Sequence, residues 1–519
     1  MLGGALGVVW LVLPGMTSGA DAPVAIKEPM PATSNAKSAS ASTAPSTATS
    51  ASVSGDDESS TADLVLPLVA VGAAGAVAGY GYLRRVRRVR DRTTPGGVGS
   101  PPPPRSSPPL AARDEEACAA LVEADNRIRA ARAELGFAET LFGTEAVAAF
   151  QQALHEAESE LAAAFRMRQR YDDGVPAEEA ARGHALAGIV GRCAEAGRRL
   201  DAVADAFGQL RGLERGVGAA LGVAEGRFRE LAGRAGASEA VLAGLHARYA
   251  PTATAAVTGN VEQAKDRLVF ATVRLNQARQ AADSGQPEHA ARHLRAAEGA
   301  VDQAAVFVEG VERMAVGLQA AEQTVPAALT GAETELATAR QQGSPDPSGP
   351  PPGELHSRLA HADAVLDSVR QELTGRQPYD PVGLLRRIVR ATAPVASGRA
   401  GVLPAAALIT ARTATAAAAD FVATHRGAVG ATARTRLAEA RRLLATGDQA
   451  DRPPADTLAL EARELAELDV RAHGNPYTEA SGPAATAGTG GAVLGGIVPA
   501  EDPEDGTPAG FTGRAGHEM

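Results

Sequence analysis

From Leu121 to Leu468 apolar residues recur at alternating steps of three and four, and that spacing commits most of the chain to helix. The first run is Leu121, Ala124, Ile128, Ala131, Leu135, Ala138 and Phe142, after which Gly143-Thr144 interrupts, with Thr144 as the expected N-cap. The second run, Val147, Phe150, Leu154, Ala157, Leu161, Ala164 and Tyr171, ends at Asp172-Asp173-Gly174. The third reads Leu186, Ile189, Cys193, Ala196, Leu200, Val203, Phe207 and Leu210, then Val217, Leu221, Ala224, Phe228 and Leu231. Taken as one helix of about 46 residues, it would extend roughly 70 Å.

The pattern resumes after Asn260, a second expected N-cap, with Val261, Ala264, Leu268, Ala271, Leu275 and Ala278. Ser284-Gly285-Gln286-Pro287 reads as a turn with proline at a helix start. The following run reaches Ala339 and contains Pro326, where a kink is expected. Beyond a Gly/Pro-rich stretch the spacing returns at Leu355, Leu359, Ala362, Leu366, Val369 and Leu373, and Asp380-Pro381 caps another helix. It blurs from Pro394 to Leu408 and is weak around Leu437, Ala440, Leu444 and Leu458 to Leu468. Leucine or an aromatic alternates with alanine along each seam, a composition that lets helix axes approach closely in antiparallel hairpins. Outside one apolar segment there is no β-branched alternation, so no strand is expected.

That apolar segment is Leu64 to Leu83, LVLPLVAVGAAGAVAGYGYL, about 20 residues without a charge and long enough to span a hydrocarbon core. Arg84, Arg85, Arg87, Arg88, Arg90 and Arg92 follow at once and orient it with the C-terminal side in the cytoplasm. The same cluster suits contact with anionic lipid head groups. Gly72, Gly75, Ala76 and Gly79 form a small-residue stripe on this helix, a candidate helix-dimer face. Residues 1–20 resemble a signal peptide that lacks its basic start.

The expected organisation is a signal-like segment (1–20), an extracytoplasmic Ser/Thr/Ala stalk without structure (21–63) and a transmembrane helix (64–83). A basic and Pro-rich juxtamembrane linker (84–111), a coiled-coil helical region (112–342) and a linker (343–353) follow. A second helical region (354–472) and a Gly/Pro/Ala-rich disordered tail (473–519) complete it. The fold class is all-α: one membrane helix, then long antiparallel coiled-coil hairpins.

Chemistry-bearing patterns are sparse. The chain of 519 residues has a formal charge of −10 and three lysines, Lys27, Lys37 and Lys265, which argues against a nucleic-acid partner. Cys118 and Cys193, the two cysteines, stand in helical pattern among alanines and read as small apolar packing residues. His289 and His293 share a helix face, but a metal needs more ligands than two. Glu158 and Glu160 fall where a coiled coil places solvated charge, and the glycines of 488–496 neither follow a strand nor open a helix. No catalytic residue and no cofactor is expected, since long thin hairpins rarely form a pocket.

Four stretches carry a resemblance: AELGFAETLFGTEAVAAFQQAL (133–154), GRCAEAGRRLDA (191–202), QARQAADSGQPEHAARHLRAAEGAVDQAA (277–305) and FVATHRGAVGATARTRLAEARRLL (421–444). In this order they resemble the cytoplasmic region of actinobacterial TPM-domain-containing membrane proteins. The resemblance covers roughly 112–472. It implies a signal peptide, an extracytoplasmic TPM domain, a membrane helix and a long helical region. The stretch before Leu64 is too short for a TPM domain, so the activity of that domain is not carried over. What the sequence leads one to expect is a membrane-anchored cytoplasmic scaffold or adaptor that meets membrane lipids, protein partners or a second copy of itself. The alternative is an accessory subunit pairing with a full-length TPM-domain paralogue in envelope maintenance.

Overall fold

The computed structural model describes residues 109–213, 215–342, 351–395, 401–473 and 510–511, and among these every regular element is helical. The helices are α1 (Leu110–Phe142), α2 (Thr144–Asp172), α3 (Glu179–Arg211), α4 (Gly218–Arg248), α5 (Asn260–Asp283), α6 (Pro287–Gln342), α7 (Pro352–Thr374), α8 (Pro381–Thr392), α9 (Leu403–Thr424), α10 (Ala431–Thr446) and α11 (Arg452–Ala472). A short helical turn, Pro251–Thr254 and Ala255–Val257, joins α4 to α5.

Glycines with positive φ set the breaks. Gly143 (φ 84°) is the single residue between α1 and α2, and its N–H closes back onto the Glu139 carbonyl. Gly212 (φ 54°) ends α3 in the left-handed conformation, with its N–H on the Gly208 carbonyl. The expected 46-residue helix is therefore two helices. The reason is local: Gly212 tolerates a conformation that costs other residues energy, and Leu213 and Val217 then turn into a different core. Thr144 and Asn260 also differ from expectation. Each is the first residue of its helix, preceded by Gly143 and Gly259, and neither caps through its side chain. Asp380 does cap, accepting the Gly383 N–H at 2.9 Å. The Ser284–Gln286 turn, with Pro287 opening α6, is as the sequence predicts.

Three cores follow from these joints. Helices α1, α2 and α3 enclose one, around Leu121, Leu154, Leu186 and Leu200. Helices α4, α5 and the first half of α6 enclose a second, and the second half of α6 gathers α7, α8 and the start of α9 into a third. Helix α6 is continuous for 56 residues, about 84 Å at 1.5 Å per residue, and runs through Pro326. It is the spine shared by two cores, so hairpins are stacked on it rather than extended as an isolated rod. Helices α9, α10 and α11 pack together through smaller clusters.

Among the described residues no helix is long and apolar enough to cross a membrane. The expected membrane segment 64–83, the arginines from Arg84 to Arg92 and the Gly72, Gly75, Ala76, Gly79 stripe lie outside the described residues. The tail departs from its expected independence at one point: Gly510 and Phe511 return to the α1–α3 unit, where Phe511 is buried.

Candidate peptide-binding socket

Phe511 enters the core between α2 and α3. Its ring centroid lies 4.6 Å from that of Phe207 and 6.2 Å from that of Phe150, which meet each other edge to face at 5.1 Å. Phe150 and Phe207 are ordinary seam positions of the repeat, and the Phe511 ring completes a cluster of three with them. Aromatic clusters of this geometry add about 0.5–1.5 kcal/mol per pair beyond area burial.

The backbone of the inserted dipeptide is read as well as its ring. Glu134 of α1 accepts the Phe511 N–H at 3.2 Å, and Arg127 Nε donates to the Gly510 carbonyl at 3.4 Å. Arg127 is held from the other side by Asp201 of α3. A Cβ on Gly510 would sit 2.9 Å from the Glu134 carboxyl carbon, closer than real contacts allow. A side chain at position 510 would therefore have to displace the Glu134 carboxylate, which holds the Phe511 N–H.

Charge supports the pocket from beneath. Burial raises the Glu134 carboxyl above its ordinary range; Arg211, Arg295 and the Phe511 N–H act in the opposite direction. Arg211 pairs with Glu298 of α6 at 2.6 Å, both side chains nearly inaccessible, which ties the socket floor to the spine. Such a buried pair fixes geometry more than it adds stability.

A second concavity, of about 330 Å³, lies between α6, α9 and the 255–258 turn, contrary to the expectation that hairpins leave none. Two glycines seven apart on α6 line it and let neighbours approach closely: a Cβ at Gly310 would meet Asn260 and Asp420 at 3.1 and 3.2 Å, and one at Gly317 would meet Thr413 at 3.2 Å. The polar groups here are spent on joining helices. Arg313 spans Asp420 at 2.7 Å and Glu309 at 3.1 Å. Arg463 stacks 4.0 Å over Phe421, whose other neighbour is the His425 ring at 4.2 Å. Burial keeps His425 below its usual range and hence neutral at pH 7.

The other sequence-marked residues do not converge. Cys193 is buried, its thiol pushed up to about 12 first by burial and then by Glu123, and is no nucleophile. Cys118 is half-buried in the same core and likewise raised by burial. His293 is depressed by burial, Arg274 and His289, while His289 contacts Arg292. Among the described residues no group of three or more His, Cys, Asp or Glu is placed to hold a metal ion. Glu158 and Glu160 are not freely solvated: they accept from Arg132 at 2.6 Å and Arg192 at 2.7 Å. Residues 488–496 lie outside the described residues.

Sequence reasoning missed Phe511. The available signal was an isolated phenylalanine after glycine in a segment otherwise nearly free of aromatics. Within the expected helical region 354–472 it left the start of α9 blurred, because Ala405–Ala407 blunt the apolar period.

No family model matches the chain, and no solved structure matches it. Over 328 residues it is 30% identical to UPF0603 protein Rv2345 and to UPF0603 protein MT2410 of Mycobacterium tuberculosis, strains H37Rv and CDC 1551. The match covers 61% of this chain and 50% of each relative. The chain thus spans about half the length of the curated relatives it matches.

Proposed function

We propose that this chain is a non-catalytic scaffold or adaptor, anchored in the membrane through residues 64–83, whose cytoplasmic helical unit binds protein partners by taking up a Gly-aromatic segment between α1, α2 and α3. The observation that carries this is the seated Gly510-Phe511 dipeptide: a buried ring, two backbone hydrogen bonds and a close approach of Gly510 to the Glu134 carboxylate. Ring burial with main-chain hydrogen bonding is how short peptides are recognised elsewhere. The protein's own tail fills the site in cis at an effective concentration on the order of millimolar, so a partner segment has to compete with it.

The test uses the Phe511→Ala chain and a labelled peptide of residues 508–515, PAGFTGRA. Fluorescence anisotropy should show binding to the F511A chain, weaker binding to the wild type, and none of a peptide with alanine in place of Gly510. An F511A chain that ignores the peptide removes the socket from the function. Topology is tested separately, with single cysteines in 21–63 and 473–519 and with Cys118 and Cys193 replaced. An impermeant maleimide should label only the former in intact cells; labelling of the tail would place the helices outside.

A second reading is an accessory role alongside a longer relative, of the kind to which 328 residues of this chain are 30% identical. In that role the helical unit pairs with a full-length TPM-domain paralogue in envelope maintenance, and the two proteins copurify from membranes.

A further inference from the structure

A groove of about 320 Å³ runs between α1, α2 and α10, away from the socket residues and built differently. Its floor is apolar, from Ile128, Leu161 and Phe165, and its walls carry five arginines: Arg129, Arg132, Arg166, Arg441 and Arg442. Three carboxylates share the groove, and each is already engaged. Asp125 takes Arg129 at 2.9 Å and also Arg434 from below. Glu158 takes Arg132, and Glu439 takes Arg442 at 2.6 Å. Arg166 and Arg441, from facing helices, are left with no ion pair or hydrogen bond among the described residues.

On a chain of net charge −10, this is a local excess of cationic groups pointed into one concavity. We propose that the groove binds a phosphate ester, with Arg166 and Arg441 forking onto the phosphate oxygens and the apolar floor accepting the organic part. The guanidinium fork matches phosphate geometry bidentately, and neutral or cationic ligands would leave both arginines uncompensated. A bare inorganic anion would leave the apolar floor unused. Electrostatics agrees with the geometry. Surrounding protein first, and then Arg129 and Arg132, bring the Arg441 guanidinium down to about 10 against the opposing pull of Asp125 and Asp420, a cost that an incoming dianion relieves. The site is independent of the tail socket and stands if peptide recognition fails.

A phosphate ester could be a soluble metabolite or a lipid head group, and two probes separate them. The full-length chain in detergent is titrated calorimetrically with phenyl phosphate and with dihexanoyl phosphatidic acid. At least one should bind, more weakly as salt rises, and an R166A/R441A chain of unchanged helicity should bind about tenfold or more weakly. Tighter binding of phosphatidic acid assigns the site to lipid; tighter binding of phenyl phosphate assigns it to a soluble phosphate ester. Arg170→Ala, on the same helix outside the groove, should leave affinity unchanged. Failure of both probes, or equal affinity in R166A/R441A, or an equal loss in R170A, overturns the proposal.

Discussion

The α5–α6 hairpin and the α1–α3 unit are written in the same Leu/Ala repeat, yet one is a closed joint and the other holds a guest. Along the hairpin Ala264, Ala271 and Ala278 face Ala290, Ala297 and Ala304, all essentially inaccessible, with Leu268, Leu275, Leu294 and Val301 between them. Alanine at alternate positions brings the backbones together until no space is left. In the α1–α3 unit Phe150 stands in an alanine slot of its seam and Phe207 in the register of Leu200, and the Phe511 ring packs against both. One seam is closed by small residues meeting across it, and the other is completed by a ring from a distant part of the chain.

The largest test of this contrast is Leu200→Asp, at a fully buried position of the α1–α3 seam. Burying an unpaired carboxylate there should cost several kcal/mol, unfold the first three helices and abolish uptake of the 508–515 peptide. Far-UV circular dichroism against temperature reads the effect; unchanged helicity would mean that the seam is wrongly assigned. Next comes the joint between α1 and α10. Arg434, nearly inaccessible, binds Asp125 and the Val429 carbonyl at 3.1 Å. Arg434→Ala should cost about 3 kcal/mol, the low end for a broken buried pair because Arg129 still faces Asp125.

The same joint sets an acid limit. Burial alone would raise the Asp125 carboxyl, but Arg129 and Arg434 outweigh it and hold it well below the ordinary carboxylate range. A carboxyl depressed in the folded state adds stability that is complete above its unfolded value and lost as pH falls through the folded one. The melting temperature should therefore fall below about pH 4, and Asp125→Asn should remove that part of the slope. An unchanged slope in D125N would assign the acid transition to other carboxylates.

These particulars mark where the sequence was legible. Hairpin turns with Gly and Pro, the Asp380 cap and the seam leucines could be read because each is a local rule acting on adjacent residues. The split of the third run at Gly212 was less visible: leucine and valine continue on both sides at helical spacing, and only tertiary packing sends Leu213 and Val217 to another core. The socket was invisible for a different reason. Phe150 and Phe207 were marked as seam residues, but nothing local says that the ring completing their cluster comes from more than 300 positions away. The arginine groove likewise depends on α10 crossing α1 and α2, which no periodicity predicts.

A smaller effect sharpens the comparison from the closed side. Ala297→Leu on α6 adds a branched side chain where the hairpin has no room, and overpacking of this kind costs about 1–3 kcal/mol. Thermal melting should register it, whereas the same enlargement at Ala162, an exposed residue lining the arginine groove, should leave the melting temperature nearly unchanged. Equal losses at both sites would mean that the hairpin seam is no tighter than the exposed groove wall.

The smallest effect is the most specific to the receptive side. Gly510→Ala leaves the Phe511 ring intact and adds one methyl group against the Glu134 carboxylate, 2.9 Å from its carbon. If the carboxylate moves it releases the Phe511 N–H, one hydrogen bond to a charged group and about 1.5–3 kcal/mol of local docking energy; if the dipeptide lifts out, the Arg127 bond and the ring contacts go as well. Because the contact is local to two residues, global melting should shift by less than the local loss, while amide exchange at Phe511 should accelerate markedly. A G510A chain whose Phe511 amide stays fully protected would show that the socket tolerates a side chain, and the specificity for glycine would fall with it.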